Sequence, residues 1–338
     1  MQLSPPPVKP SPFNRNHLLR DAIGQALYDA MREDPAIYLF GEGAWVKQHY
    51  DAPYILKDFP ERIVTMPIAE DGSINFCVGA SLLGITPVYD VITADFLYRC
   101  MDSICNTAAK LNFVAETGAV PKTIVIRAEF LTGGPTTGQR PEALFCHIPG
   151  LNVVIPSTPR DAYGLMRTAL QTPGVTLFFE DREINDDGRW TTHDLRTGDM
   201  VPLGKGMLRH LGGKGTVTVL SYGVARPLME KALWDWRMDI DLELNLGADL
   251  IDLRSLYPID WAMIKFYLAR NGNLLIIEPD VRYGGIGAEI AATIAEEMPH
   301  VRIKRLGARR ETIPANPALH GAMLPTQQEI LDAINSFN

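Results

Sequence analysis

The sequence predicts an α/β protein built as two successive α/β domains with mainly parallel sheets. Three observations predict it. Apolar runs of strand length, several nearly continuous, alternate with segments of helical period from Ile37 to Phe337, and such runs are what strands covered on both faces require. The alternation breaks once, in a polar stretch from Arg182 to about Gly215, and then resumes. A chain of 338 residues, 46% hydrophobic and 21% charged, also exceeds the roughly 100–200 residues of one domain.

Residues 1–16 form a Pro-rich arm that cannot enter a helix or a sheet interior, so it should lie extended on a surface or a partner. A first domain over 17–195 should carry strands at Ile37–Phe40, Val64–Ile68, Pro87–Ile92, Thr123–Arg127, Asn152–Ile155 and Thr176–Phe179. A helix through Ile74–Leu83 follows the second strand, with Gly84 placed to end it. Ser157-Thr158-Pro159-Arg160-Asp161 is a helix start: Thr158 caps, Pro159 suits the first helical position and Asp161 faces the positive helix end. That helix runs on through Gly164 to Leu170.

Asn185-Asp186-Asp187-Gly188 and Gly212-Gly213-Lys214-Gly215 signal loops, and 196–214 is read as a linker. The second domain, 215–338, repeats the alternation. Strands are expected at Thr216–Leu220, Ala248–Leu253, Asn273–Ile277 and Val301–Lys304, and helices at Ala225–Trp236, Trp261–Ala269, Ala288–Glu297 and Gln327–Phe337. Right-handed crossovers should place helices on both faces of each sheet.

The formal net charge is −8, from 32 basic and 40 acidic residues, with no basic stripe, which argues against a nucleic-acid partner. No run approaches the roughly 20 apolar residues of a membrane span, and the opening MQLSPPPVKP lacks the apolar core of a secretion signal, so a cytoplasmic protein is expected. Cys77, Cys100, Cys105 and Cys146 have neither CxxC spacing nor the density of a disulfide scaffold, and read as small buried residues rather than metal ligands. No glycine cluster fits GxGxxG or a P-loop, so a ligand phosphate would have to be held by another chain.

Ligands of parallel sheets bind beyond the carboxyl ends of the strands. Three such ends carry unusual residues: Gly41-Glu42-Gly43, the segment MPIAEDG at 66–72, and the loop Leu131–Gln139. The adjacent carboxylates Glu70 and Asp71 have two readings, favourable charge at a helix start or proton chemistry. The residues alone leave both open.

Five segments in order resemble one family: FGEG at 40–43, PERIVTMPIAEDG at 60–72, ADFLYRCMDSICNTAAKL at 94–111, HIPGLNVVIPSTPRDAYGLM at 147–166 and GGIGAEIAATIAEE at 284–297. They are similar to the β subunit of the decarboxylating component of 2-oxo acid dehydrogenases, of the pyruvate and branched-chain type, within the transketolase-like thiamine diphosphate enzymes. The resemblance implies a pyrimidine-binding domain followed by a transketolase C-terminal domain, in an α2β2 heterotetramer whose α-type subunit holds the diphosphate and Mg2+.

It also implies residue roles. Glu70 matches the glutamate that hydrogen-bonds a ring nitrogen of the cofactor's aminopyrimidine, leaving the helix-start role to Asp71. Phe96 matches the aromatic residue stacked on that ring, with Ile68 and Ile92 beside it; by itself Phe96 reads as ordinary core. Glu42 falls where relatives carry an acid near the cofactor, against the alternative of a solvated loop carboxylate. Arg99 stands where some relatives have glutamine facing the active site, which brings a cation to an anionic substrate or to an interface salt bridge. His147, in HxPGL, is a catalytic candidate or a hydrogen-bonded structural histidine.

One departure stands out. Relatives carry QHSQ-x-x-E ahead of HxPGL, and the histidine position is occupied here by Thr137, which forms hydrogen bonds but carries no proton near neutral pH. The implied function is a β-type subunit of a two-component enzyme that cleaves or decarboxylates a 2-oxo acid or ketose and passes the acyl or hydroxyalkyl unit to an acceptor that need not be lipoamide. The alternatives are a conventional dehydrogenase β subunit feeding a lipoyl acyltransferase, a split transketolase subunit, and a noncatalytic assembly or regulatory subunit.

Overall fold

The computed structural model describes residues 18–42, 52–114, 122–131, 134, 136–185, 198–212, 214–239 and 246–337. The Pro-rich arm, Gly43, part of the 131–139 loop and most of the Asn185–Gly188 turn lie outside them.

The first sheet has six parallel strands: β1 (Ile37–Glu42), β2 (Ile63–Met66), β3 (Thr86–Thr93), β4 (Thr123–Phe130), β5 (Leu151–Val154) and β6 (Gly174–Asp181). The second contains β7 (Met207–Gly212), β8 (Lys214–Ser221), β9 (Leu246–Asp252), β11 (Asn273–Val281) and β12 (Arg302–Ala308), in the order β12-β11-β8-β9-β7. A short strand, β10 (Ser255–Tyr257), leaves the second half of the chain and pairs antiparallel with β5, completing the order β10-β5-β6-β4-β3-β1-β2. The expected parallel architecture is found, with antiparallel strands only at one edge of each sheet, β10 and β7.

The strand interiors are buried on both faces, as the apolar runs require: five consecutive residues of β4 and seven of β11 are buried. Helix α1 (Leu19–Glu33) packs on α3 (Pro159–Ala169) over one face of the first sheet, tied by Tyr163 Oη donating to Asp29 Oδ2 at 3.0 Å. Helix α2 (Glu70–Leu82) lies against β3, and Gly84, just past its end, takes φ +93°, the left-handed conformation that glycine adopts without strain. Helix α3 starts as its sequence demands: Thr158 Oγ1 accepts from the Asp161 amide at 3.1 Å, and Pro159 holds the first position. Asp161 also pairs with Arg254 at 2.6 Å, which clamps the β9–β10 connection to the first sheet. Helices α4 (Ala225–Asp239), α5 (Trp261–Asn271), α6 (Ile286–Glu297) and α7 (Gln327–Asn335) flank the second sheet.

Differences from expectation concentrate at strand ends. Strand β2 stops at Met66, so Ile68 lies outside it and is 82% exposed, whereas β1 continues to Glu42. The stretch read as irregular from Arg182 contains a helical turn, Arg182–Asn185, and strand β7 within the residues read as linker. Only Leu211 of β7 is buried, so this edge strand carries little apolar signal. Cys77 and Cys100 are buried, but Cys105 and Cys146 only partly so. No described helix is long and apolar enough to cross a membrane.

Candidate active site at the strand ends

The carboxyl ends of β1, β2 and β3 converge on two acidic residues. Glu42, the last residue of β1, is 3% exposed, which rules out a solvated loop carboxylate. Its Oε1 accepts from the Ala69 amide at 3.1 Å and from Tyr89 Oη at 2.8 Å. Because Tyr89 belongs to β3 and Ala69 precedes α2, this one oxygen joins two strands to the turn that presents Glu70. Burial raises the Glu42 carboxyl above its ordinary range, opposed by these two hydrogen bonds and reinforced by the nearby Glu70 charge.

Glu70 is the first residue of α2 and is buried. Helix α2 has no side-chain cap at Ala69, so acidic groups are favoured there. Asp71 is committed to the fold, since its Oδ1 accepts from Ser103 Oγ at 2.5 Å. Glu70 makes no side-chain hydrogen bond among the described residues; its one ion pair is to Arg99 Nε at 3.9 Å, and the Arg99 side chain is 76% exposed. Of the adjacent pair, Asp71 is therefore the one that a side-chain hydrogen bond ties into the fold. Asp71 anchors, and Glu70 places a buried carboxyl group at the strand ends.

Ile92 has φ +69°, an outlier for a β-branched residue that costs on the order of 1–3 kcal/mol. Its amide donates to Asp90 Oδ1 at 2.8 Å, and the β3–β4 register shifts at this point. The distortion turns the chain out of β3 into the 3-10 helix Ala94–Cys100, which carries Phe96 and Arg99. Phe96 is half-buried, packed on the core yet open on one side. Burial and the charges of Glu70 and Asp71 push the Cys100 thiol up to about 12, so it stays protonated.

Asp95, on the same 3-10 helix, accepts from the Gly138 amide at 3.0 Å and the Gln139 amide at 3.1 Å, which fixes the described end of the 131–139 loop. Gly138 takes φ +107°, and a Cβ there would meet Ile313 Cγ2 at 3.1 Å, so the close approach to the second half suits glycine. Thr137 thus lines a cavity with Tyr98 and residues of the second half. His147 lines a separate cavity of about 710 Å³ with Cys146, Tyr257 and Trp261. The structure therefore joins Glu42, Glu70, Ile92, Phe96 and Arg99 at the strand ends, links Thr137 to them through Asp95, and leaves His147 elsewhere.

Sequence reasoning did not find Tyr89 and Asp95, which hold the site in place. Asp95 lies inside the quoted segment ADFLYR, but only the fold reveals that it receives two amides from residues more than 40 positions away. Tyr89 sits in an apolar strand and carries no signal beyond its hydroxyl.

Residues 17–185 match the family model of the transketolase pyrimidine-binding domain, and 206–330 that of the transketolase C-terminal domain. The 2-oxoisovalerate dehydrogenase subunit beta 2, mitochondrial, of Arabidopsis thaliana is 32% identical over 94% of this chain and 88% of its own. The 2-oxoisovalerate dehydrogenase subunit beta of Bacillus subtilis is 31% identical over 88% of this chain and 90% of its own. The acetoin:2,6-dichlorophenolindophenol oxidoreductase subunit beta of Bacillus subtilis is 28% identical over 93% and 94%. A solved structure described as a split gene transketolase, inactive beta4 tetramer, shares the fold at a TM-score of 0.78 with 22% identity, covering 94% of this chain and 97% of that one. Two matching domains in order, with relatives aligned along nearly the whole chain, establish that the protein belongs to the transketolase-like family that includes the β subunits of 2-oxo acid dehydrogenases.

Proposed function

We propose that this chain is the β-type subunit of a two-component thiamine diphosphate enzyme that cleaves or decarboxylates a 2-oxo acid or ketose and transfers the acyl or hydroxyalkyl unit to an acceptor. The observation that carries the reading is Glu70, a buried carboxylate with no hydrogen bond from its own chain among the described residues. Burying a carboxylate without such partners is costly, and a nitrogen heterocycle in the cleft would supply one. The half-buried Phe96 ring and the exposed Ile68 offer that heterocycle apolar and aromatic faces. The residues present therefore fit an aminopyrimidine.

In this reading Glu70 holds and moves a proton at the ring nitrogen, Phe96 stacks, and Ile68 and Ile92 wall the ring. Arg99 orients the carboxylate of an anionic substrate. Glu42 positions the turn carrying Glu70 rather than exchanging protons itself. When bound, the cofactor supplies an electron sink for the carbon–carbon cleavage.

The chain has no phosphate-binding motif, so the diphosphate and Mg2+ fall to an α-type partner in an α2β2 assembly. Exposed Ile68, Phe76, Leu82 and Leu83 beside and along α2 support a partner on that face. The relatives' names carry the same expectation of a β subunit beside a second chain. Thr137 in place of a loop histidine favours a small carbonyl acceptor over lipoamide. Titration calorimetry tests the two-chain site: thiamine diphosphate with Mg2+ should bind weakly to the isolated chain and tightly once the partner is added. Tight binding to the isolated chain would contradict it.

A further inference from the structure

The cavity beside Thr137 is not used by the chemistry assigned to Glu70. It measures about 410 Å³ and is lined from the first half by Tyr98, Thr137 and Arg140 and from the second by Asp280, Ile313 and His320. That is within the roughly 300–1,000 Å³ of small-molecule sites, which combine apolar walls with a few polar groups. The 3-10 helix Ala94–Cys100 borders it as well as the strand-end site: Arg99 pairs with Glu70, while its neighbour Tyr98 lines the cavity. A ligand here is one residue along the backbone from the Glu70 cleft.

Apart from the exposed Glu311, the polar groups lining this cavity are nearly devoid of usable charge. Arg140, its only lining cation among the described residues apart from any charge on His320, is consumed by Asp181 at 2.6 Å and Glu142 at 3.0 Å, with Phe130 stacked against it at 3.7 Å. Burial, with help from Glu142, pushes the Asp280 carboxyl up to about 8, so it keeps its proton at neutral pH and donates. Burial, then Arg140, lowers the His320 imidazole from its ordinary value, so it is neutral, with one nitrogen donating and the other accepting. Burial holds the Tyr98 phenol protonated, near 12. The site therefore offers neutral donors and acceptors on both sides, an exposed acid in Glu311, and no free cation among the described residues for a phosphate or carboxylate.

We propose that this cavity binds an uncharged hydroxy-carbonyl compound, the acceptor of the transferred unit, with Asp280 and His320 as its hydrogen-bonding groups. The acceptor role rests on the function proposed above; the binding site and its preference for uncharged ligands do not. His320, contributed by the second half of the chain, supplies on the opposite wall the imidazole that the 131–139 loop lacks: its Cε1 lies 3.8 Å from where a Cβ on Gly138 would stand.

The test uses the full chain without cofactor and two probes, dihydroxyacetone and dihydroxyacetone phosphate, in ligand-observed NMR titrations. Dihydroxyacetone should bind, and its phosphate ester at least tenfold more weakly. His320→Phe and, separately, Asp280→Asn should each weaken dihydroxyacetone at least fivefold, with His320 half-exposed on the short helix Pro317–Gly321 and so tolerant of replacement. Equal or tighter binding of the phosphate, no binding of dihydroxyacetone, or unchanged affinity in both variants would overturn the proposal. Thiazolium proton exchange in the assembled enzyme is read in parallel. Exchange without dihydroxyacetone binding rejects the pocket alone, and binding without exchange rejects the proposed function while leaving the pocket in place.

Discussion

Glu42 should act on the site through two hydrogen bonds, and the structure gives the size of the effect. Its Oε1 receives the Ala69 amide and the Tyr89 hydroxyl, and the side chain is 3% exposed. Hydrogen bonds to a charged acceptor contribute about 1.5–3 kcal/mol each, so Glu42→Ala forfeits roughly 3 kcal/mol at the low end of that range. Removing the carboxylate also removes its desolvation penalty, evident in its raised pKa, which offsets on the order of 1 kcal/mol. The net expectation is about 2 kcal/mol of destabilisation, read in urea unfolding as a lower midpoint with an unchanged slope. Glu42→Gln keeps an acceptor oxygen of nearly the same shape and should stay within about 1 kcal/mol of wild type. Because Ala69 leads into Glu70, thiazolium proton exchange in the assembled enzyme should slow in the alanine variant and recover in the glutamine one. If Glu42→Gln abolishes exchange as thoroughly as Glu42→Ala while unfolding normally, Glu42 acts through its own proton and the positioning argument fails.

Thr137→His should restore transfer to lipoamide by about 10²–10⁴-fold, the usual worth of general acid–base assistance; single-turnover acylation checks this, and an unchanged rate would mean that the loop position does not govern the acceptor. Stability should also fall as pH rises from about 4 to about 7 because of Asp252, fully buried beside Asp161 and held up to about 7 by burial and that neighbour, against Arg226 and Arg254. A folded-state pKa above the unfolded value of about 3.8 gives stability that is complete below that value and lost as pH passes about 7. Asp252→Asn should flatten the fall between about pH 4 and 7 in urea titrations, and an unaltered slope would remove Asp252 from the account.

Much of the fold was legible because its strands are buried on both faces and so are written as apolar runs, as in Thr123–Phe130. Helix α3 was legible from its cap, Thr158-Pro159, whose geometry appears as read. Strand β7 was not, since an edge strand needs few apolar residues. Nor was β10, a three-residue strand whose partner lies about 100 residues earlier in the chain. At the candidate site, the motifs single out Glu70 as a proposal, whereas the contacts that hold its turn run across strands and carry no sequence signal. Ile92 sits in a left-handed conformation that a β-branched residue gives no reason to expect. His320 belongs to no motif, and its place opposite Thr137 follows only from how the two halves of the chain meet.

In the proposed mechanism Glu70 holds the proton that activates a cofactor shared between two chains. Glu70→Gln tests it most directly, with thiazolium proton exchange followed by NMR in the complex of this chain with its α-type partner, thiamine diphosphate and Mg2+. Stability should change by less than about 1 kcal/mol, because the only ion pair lost among the described residues is to a largely exposed Arg99. Exchange should slow by about 10²–10⁴-fold. Wild-type exchange in a correctly assembled Glu70→Gln complex would contradict the account.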